Sequence, residues 1–176
     1  TGKTCTIVEV LSRAISLRGD IRIGLSAPTG KATRRLNESI ISGVKELEVP
    51  HNKYLLNLPC ATLHRWLEAT PKGFRKNKNN LLNVDLFVVD EMSMVDIILF
   101  RSLLDALPSA CQLLLVGDPE QLPPISCGAL WQHLEVNNLF KEFNENFIHL
   151  SEVFRNKGSL VSLSKILRRE GLIRFF

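Results

Sequence analysis

The chain has 176 residues, of which 45% are hydrophobic and 23% are charged, and its formal net charge is +4. This length and composition are those of one globular domain with a hydrophobic core, and they exclude a disordered tail. The weak positive charge suits a polyanionic partner such as nucleic acid without requiring one. No apolar run approaches the roughly 18 residues of a membrane span, and the scattered cysteines predict reduced thiols in a cytoplasmic protein.

The first half of the chain predicts a helix, a strand and a second helix. Apolar residues recur at helical spacing over residues 5–17, and Gly19 offers a stop. The run IRIGLSAPTG predicts a short strand that ends in a turn, and KATRRLNESIISGV resumes the helical period. We expect residues 44–58 to be irregular, ATLHRWLEA to form a short helix, and residues 70–80 to form a loop or hairpin.

The second half again alternates strands and helices. DLFVVDE is a continuous apolar run, typical of a central parallel strand that is covered on both faces. SMVDIILFRSLLDALP predicts a helix with Ser93 as its candidate N-cap, CQLLLVGD predicts a second buried strand, and residues 129–136 predict a further helix. This alternation favours an α/β domain with a mostly parallel sheet, in which ligands bind beyond the carboxyl ends of the strands.

The chain opens with TGKT, the second half of a phosphate-binding loop, G-x-x-x-x-G-K-[ST]. The motif leads directly into a predicted helix, whose first backbone N–H groups attract phosphate oxygens. It therefore predicts a nucleotide site at Gly2, Lys3 and Thr4, with Lys3 reaching the β- and γ-phosphates and the Thr4 hydroxyl on Mg²⁺. The alternative is a solvated helix start capped by Thr1.

Polar side chains follow both buried strands of the second half. Asp90 and Glu91 point in different directions at a strand end, so Asp90 can bind a metal while Glu91 activates a water, as hydrolysis of a phosphoanhydride requires. Asp118 ends the next strand. Gln121 follows in a proline-stiffened turn, where its amide can sense a γ-phosphate without adding charge. A surface acid pair and a merely rigid turn are the alternatives.

Two further motifs suit a nucleic acid. GLSAPTGKAT fails as a second phosphate loop because its glycines are one residue too far apart, but Thr29, Lys31, Arg34 and Arg35 suit backbone phosphates of a nucleic acid. In ATLHRWL, Thr62 and His64 are candidate phosphate contacts, whereas Trp66 is expected in the core and not as a base-stacking platform. An ordinary solvated helix face is the alternative.

Together these stretches resemble the superfamily 1 DNA helicases of the RecD type, the alpha subunit of exodeoxyribonuclease V. The resemblance spans nearly the whole chain, and conjugative relaxase helicases share parts of it. It implies a RecA-like P-loop NTPase domain that uses ATP and Mg²⁺ to move 5′ to 3′ along single-stranded DNA in recombinational repair, with other exodeoxyribonuclease V subunits as candidate partners. The matching stretches are TGKT, SAPTGKAT, ATLHRWL, FVVDEMSMVD, LLLVGDPEQLPPISCG and LSEVFRN.

The resemblance also implies a role for each candidate residue. Gln121 would link the γ-phosphate to the grip on DNA, and Arg155 would contact the γ-phosphate and steady the developing charge. Asn156 stands where the family usually has glutamine. The other candidates divide between the nucleotide (Lys3, Thr4, Asp90 and Glu91) and the DNA strand (Thr29, Lys31, Thr62 and His64).

We expect residues 1–150 to form an N-terminal RecA-like ATPase domain that is truncated at its start and lacks its phosphate-loop strand. Residues 151–176 would begin the segment that leads into a second motor domain. On this view the chain is a fragment of a longer product and hydrolyses little or no ATP by itself. A non-catalytic nucleic-acid-binding module and a nucleotide-driven switch or clamp loader are the alternatives from other classes.

Overall fold

The computed structural model describes residues 2–47 and 51–118. These residues alternate helices and strands, as the sequence predicts. The helices are α1 Gly2–Arg18, α2 Gly30–Leu47, α3 Asn52–Leu56, α4 Leu63–Trp66 and α5 Ile97–Ala106. The strands are β1 Ile23–Ala27, β2 Cys60–Thr62, β3 Ala69–Thr70, β4 Gly73–Phe74, β5 Leu86–Val89 and β6 Gln112–Leu115.

Four parallel strands form the main sheet of the described residues, in the order β2-β1-β5-β6. Every residue of β1 and β5 is buried, because helices cover both faces of the sheet. Leu86 and Val88 pack with α1 and α2, whereas Phe87 and Val89 pack with α5 on the opposite face. The predicted α/β architecture with a parallel sheet flanked by helices is confirmed.

Two glycines allow close packing in this core. A Cβ atom on Gly24 in β1 would lie 2.8 Å from the Phe87 ring, and one on Gly43 in α2 would lie 2.9 Å from Val8 of α1. Both contacts are shorter than van der Waals separation, so a larger side chain at either position would force its neighbour to move.

The structure corrects the prediction that residues 44–58 are irregular. Helix α2 continues to Leu47, and α3 forms a short helix whose Leu55 is fully buried. The Tyr54 hydroxyl of α3 donates to the carbonyl of Ile21, ahead of β1. Contacts this distant in sequence leave no periodic signal over so short a helix, which is why the sequence pattern misses it.

The segment ATLHRWLEA is also only partly helical. Its first residues belong to β2, which pairs with β1 and aligns Thr62 with Ala27, and the helix begins only at Leu63. A three-residue strand is too short to show alternation, and its partner lies more than thirty residues earlier in the chain. The predicted hairpin is confirmed as the antiparallel pair β3–β4.

The N-cap predicted for the helix after DLFVVDE is wrong. Ser93 lies buried in a 3₁₀ turn, Met92–Met94. Val95 and Asp96 are extended, and α5 starts at Ile97. Asp96 caps α5 instead, with its Oδ1 accepting from the Leu99 N–H at 2.8 Å. Strand β6 is confirmed but is only half-buried, and the helix predicted over residues 129–136 lies outside the described residues.

Within the part of the chain that the structure describes, no helix combines the length and the apolar character that a bilayer crossing requires.

Candidate functional site

The carboxyl ends of β1, β5 and β6 are joined by backbone hydrogen bonds that continue past the strands. The Asp90 N–H donates to the Ser26 carbonyl at 2.9 Å, and the Val116 N–H donates to the Val89 carbonyl at 2.8 Å. The Met92 N–H then donates to the Val116 carbonyl at 2.9 Å. The acidic dipeptide Asp90-Glu91 is therefore held on both sides, by β1 and by the segment after β6.

Glu91 adopts a left-handed backbone conformation, with φ 52° and ψ 42°. This conformation costs a residue with a side chain about 1–2 kcal/mol. It is maintained because Met92, which is fully buried, anchors the following 3₁₀ turn in the core. Asp90 and Glu91 consequently stand at the end of β5 with different backbone geometries.

Lys3 reaches the same edge of the sheet from the first turn of α1. Its Nζ lies 3.8 Å from Oδ2 of Asp118, which follows β6, and both side chains are partly exposed. The pair is too long for a hydrogen bond, and an ion pair this exposed contributes about 0–1 kcal/mol. The structure therefore brings Lys3 to the strand ends that also present Asp90 and Glu91, through a contact weak enough to be exchanged.

The negative charge of Asp90 influences the Cys60 thiol on β2. Burial raises the pKa of the Cys60 thiol to about 11, and the negative charge of Asp90 acts in the same direction. The thiol donates to the Thr33 carbonyl at 3.5 Å. The carboxylate therefore acts on a thiol two strands away, because β1 lies between β2 and β5.

These residues fit the chemistry of a nucleotide and its metal ion. Magnesium prefers oxygen ligands, and a carboxylate such as Asp90 suits it. The Lys3 ammonium and the N-terminal end of α1, a helix of 17 residues, suit phosphate oxygens. The Thr4 side chain, Gln121 and Arg155 lie outside the described part of the structure, so their predicted roles stay predictions.

The predicted DNA-contacting threonines serve as helix caps. Thr29 Oγ1 accepts from the Ala32 N–H at 3.2 Å at the start of α2, and Thr62 Oγ1 accepts from the Arg65 N–H at 3.3 Å at the start of α4. Because β1 and β2 are neighbours, both caps lie at one edge of the sheet. Each hydroxyl still has its proton to donate to a ligand.

The two predicted basic contacts are exposed beside these caps. Lys31 lies in the first turn of α2, and His64 lies in α4 with its ring 5.9 Å from that of Phe74 in the hairpin. Trp66 is half-buried, as expected: its Nε1 donates to the Leu25 carbonyl at 2.9 Å and its ring packs edge-on against Phe87.

Asp118 is the residue for which the sequence predicted no role. The signal was present, because Asp118 follows an apolar strand in the same way as Asp90 follows β5. Its contact with Lys3 joins positions at the two ends of the described chain, which no local pattern reveals.

Comparisons with known proteins agree with the motifs. A family model described as an AAA domain matches residues 1–127. The chain is 38% identical over 138 residues to the RecBCD enzyme subunit RecD of Mycolicibacterium smegmatis, covering 74% of this chain and 25% of that protein. It is 41% identical over 128 residues to the ATP-dependent RecD2 DNA helicase of Deinococcus radiodurans, covering 73% and 15%.

Among solved structures, Bacteroides Pif1 bound to single-stranded DNA aligns with 93% of this chain and 46% of its own, with a TM-score of 0.42 and 15% identity. The chain spans about a quarter or less of the length of the RecD and RecD2 relatives. Because the family model matches well over half of its residues, the chain belongs to the AAA-domain family, and the resemblance of its motifs to RecD-type helicases is confirmed.

Proposed function

We propose that this chain is the nucleotide-binding part of a superfamily 1 DNA helicase motor, which couples ATP hydrolysis to 5′ to 3′ movement along single-stranded DNA. The relatives named as RecD and as an ATP-dependent DNA helicase support this function. The observation that carries it is the Lys3–Asp118 contact at 3.8 Å, because it puts the lysine at the strand edge that ends in Asp90 and Glu91.

In the proposed mechanism Lys3 leaves Asp118 and binds the β- and γ-phosphates of ATP. Asp90, with the Thr4 hydroxyl, would hold Mg²⁺, which when bound neutralises charge on the phosphate oxygens. Glu91 accepts a proton from the attacking water on its carboxylate. Gln121 would report the γ-phosphate to the DNA-binding edge, and Arg155 would steady the charge that develops during transfer.

The wider setting is proposed with the function. The RecBCD subunit names suit a cytoplasmic exodeoxyribonuclease V complex in recombinational repair, and a helicase of the conjugative relaxase type is the nearest alternative. Residues 1–150 would be the first motor domain, and residues 151–176 would lead towards a second one.

Replacing Lys3 tests the proposal. In the full-length protein, Lys3→Ala should abolish DNA-stimulated ATP hydrolysis, because the variant lacks the cation that binds the phosphates. Lys45→Ala is the matched control, since Lys45 is an exposed lysine at the far end of α2. Unchanged turnover in Lys3→Ala would contradict the proposed site.

A second candidate function is a nucleic-acid-binding module without turnover. It is favoured by the position of Thr29, Lys31, Thr62 and His64 at the ends of two neighbouring strands. Labelled single-stranded DNA should then bind with an affinity that falls steeply with salt, because phosphate contacts release counterions. Binding without DNA-stimulated hydrolysis would select this candidate, and hydrolysis without strand separation would favour a nucleotide-driven switch.

A further inference from the structure

A polar groove runs along β2, which lies at the opposite end of the strand order from β6. It encloses about 590 Å³, within the range of roughly 300–1,000 Å³ that is usual for ligand sites. One wall is a face of α2 that includes Arg34 and Asn37, and the other is formed by Asn57, Leu58 and strand β2, with Arg65 of α4 at one end. We call this site the β2 groove.

The charge of the β2 groove selects an anionic occupant. Arg34 and Arg65 are both exposed, and the described residues that line the groove include no carboxylate. An arginine guanidinium matches a carboxylate or a phosphate with two parallel hydrogen bonds, so two arginines in one groove favour a ligand with at least two acidic groups.

Among the described residues, the wall that β2 forms offers an unpaired strand edge. β2 is the border strand of the sheet that residues 2–47 and 51–118 form, and β1 pairs with its other side. The Leu25 N–H of β1 donates to the Pro59 carbonyl at 2.9 Å, so Pro59 faces β1. Alternation along a parallel strand then turns the N–H and C=O of Cys60 and the N–H of Thr62 outward, where an extended chain can pair with them, whereas the Thr62 carbonyl belongs to the first turn of α4.

The lining of the groove favours a peptide over a nucleic acid. Sites for single-stranded nucleic acid combine cations with aromatic rings on which bases stack, and none of the described lining residues is aromatic. Trp66, the nearest candidate ring along the chain, is bonded to the Leu25 carbonyl and packed against Phe87. Asn37 and Asn57 carry amides that both donate and accept, and Leu58 adds an apolar contact, as a peptide requires.

We propose that the β2 groove binds an extended acidic segment of a partner protein, which adds to the outer edge of β2 as a further strand. Two of its carboxylates pair with Arg34 and Arg65, and its backbone pairs with the N–H and C=O of Cys60 and the N–H of Thr62. This interaction requires neither nucleotide nor DNA, and it shares Thr62 with the proposed DNA contacts.

The probe is a fluorescein-labelled peptide of alternating aspartate and valine, titrated against the protein without nucleotide by fluorescence anisotropy. We expect saturable binding that Arg34→Glu weakens about tenfold or more, equivalent to ~1.4 kcal/mol. Arg35→Glu is the matched control, because it makes the same charge change at the next exposed residue, which does not line the groove. Arg34→Gln repeats the test with the charge removed instead of reversed.

A second peptide, N-methylated at alternate residues, separates strand pairing from simple charge attraction. It keeps every carboxylate but lacks the N–H groups that would pair with β2, so it should bind about tenfold more weakly or worse. Equal binding of the two peptides would overturn the strand addition, and equal weakening by Arg34→Glu and Arg35→Glu would overturn the groove. Preferential binding of an oligothymidylate, lost in Arg34→Glu alone, would make the groove a nucleic-acid site and also overturn the proposal.

Discussion

Charged residues lie at both ends of the strands of the main sheet, but they are arranged differently. We call the side where the strands begin the amino edge and the side where they end the carboxyl edge. At the amino edge, Asp85 Oδ2 accepts from the Arg22 Nε at 2.8 Å and from the Arg22 N–H at 2.9 Å, and Asn83 binds the same guanidinium. At the carboxyl edge, Lys3 and Asp118 lie 3.8 Å apart. The first pair joins the starts of β1 and β5 through several hydrogen bonds, whereas Lys3 and Asp118 are farther apart than a hydrogen bond allows.

The electrostatic and backbone properties of the two edges differ in the same sense. Hydrogen bonds from Arg22 hold the pKa of Asp85 well below its ordinary value, as expected of a carboxylate in a stabilising pair. Beside the carboxyl edge, Glu91 keeps a strained left-handed backbone. Strain of this kind persists where the surrounding structure enforces it, often at functional sites. The amino edge is therefore held by paired charges, and the carboxyl edge carries the residues to which the proposed function assigns a ligand.

Glu91→Gln, at the carboxyl edge, should have the largest effect on turnover. In the full-length protein it should lower the DNA-stimulated ATPase rate by about 10²–10⁴-fold, because it removes the general base and preserves the size of the side chain. The free energy of unfolding should stay nearly unchanged, as measured by urea denaturation. A variant with normal turnover would show that the strained carboxylate takes no part in hydrolysis.

Asp85→Asn should show the opposite pattern, with lower stability and normal ATP hydrolysis. Because folding lowers the pKa of Asp85, its pairing with Arg22 stabilises the fold at pH values above the ordinary pKa of 3.8. This stabilisation is lost as the pH falls below that value. The difference in unfolding midpoint between wild type and variant should therefore be full at neutral pH and shrink below about pH 4.

Asp105→Asn provides the control for that measurement, since Asp105 is an exposed carboxylate on α5. It should leave the midpoint nearly unchanged at every pH. A constant difference for Asp85→Asn from neutral to acidic pH would mean that the variant loses stability for a reason other than the Arg22 pair.

The sequence could predict the elements that leave a local pattern and not those that depend on distant contacts. β5 was predictable because a continuous apolar run marks a strand covered on both faces, and its end then located Asp90 and Glu91. β1 was predictable as a short strand because the run IRIGLSAPTG ends in a turn. β2 and α3 were missed because each is short and held by distant contacts, such as the alignment of Thr62 with Ala27. The Lys3–Asp118 contact and the backbone of Glu91 likewise depend on the assembled sheet, so no local pattern encodes them.

Glu91→Gly should separate strain from function. Glycine adopts a left-handed conformation without penalty, which should stabilise the protein by up to about 1 kcal/mol after its greater entropy in the unfolded state is subtracted. Glu68 is the matched control, because it is also left-handed, with φ 53°, but follows α4, is hydrogen-bonded to Arg75 and has no role in the proposed site. Glu68→Gly should give a similar increase in the urea midpoint. The increase should be slightly smaller, because the variant also lacks the weak ion pair between Glu68 and Lys76 at 3.9 Å.

Only Glu91→Gly should also abolish ATP hydrolysis in the full-length protein. If both glycine variants destabilise the fold, the left-handed conformations are not strained. If both retain full turnover, the proposed role of Glu91 is contradicted even though the backbone argument holds.

The smallest expected effect concerns the reach of the Asp90 charge. Asp90→Asn should lower the pKa of Cys60 from about 11, because the variant lacks the negative charge that opposes formation of the thiolate. Burial is the larger cause, so the pKa should still remain above its ordinary value of 9.0. The pH dependence of alkylation, in a protein whose other cysteines are replaced by alanine, measures this shift.

Asp105→Asn, in the same background, should leave the alkylation profile of Cys60 unchanged. A carboxylate that influences a thiol on β2 must act across β1, because β1 lies between β2 and β5 in the sheet. An unchanged pKa in Asp90→Asn would confine the charge of Asp90 to its own strand end. The end of β5 at Asp90 and the strand β2 would then have no electrostatic link through this residue, and any coupling between them would have to depend on backbone contacts such as that between Asp90 and Ser26.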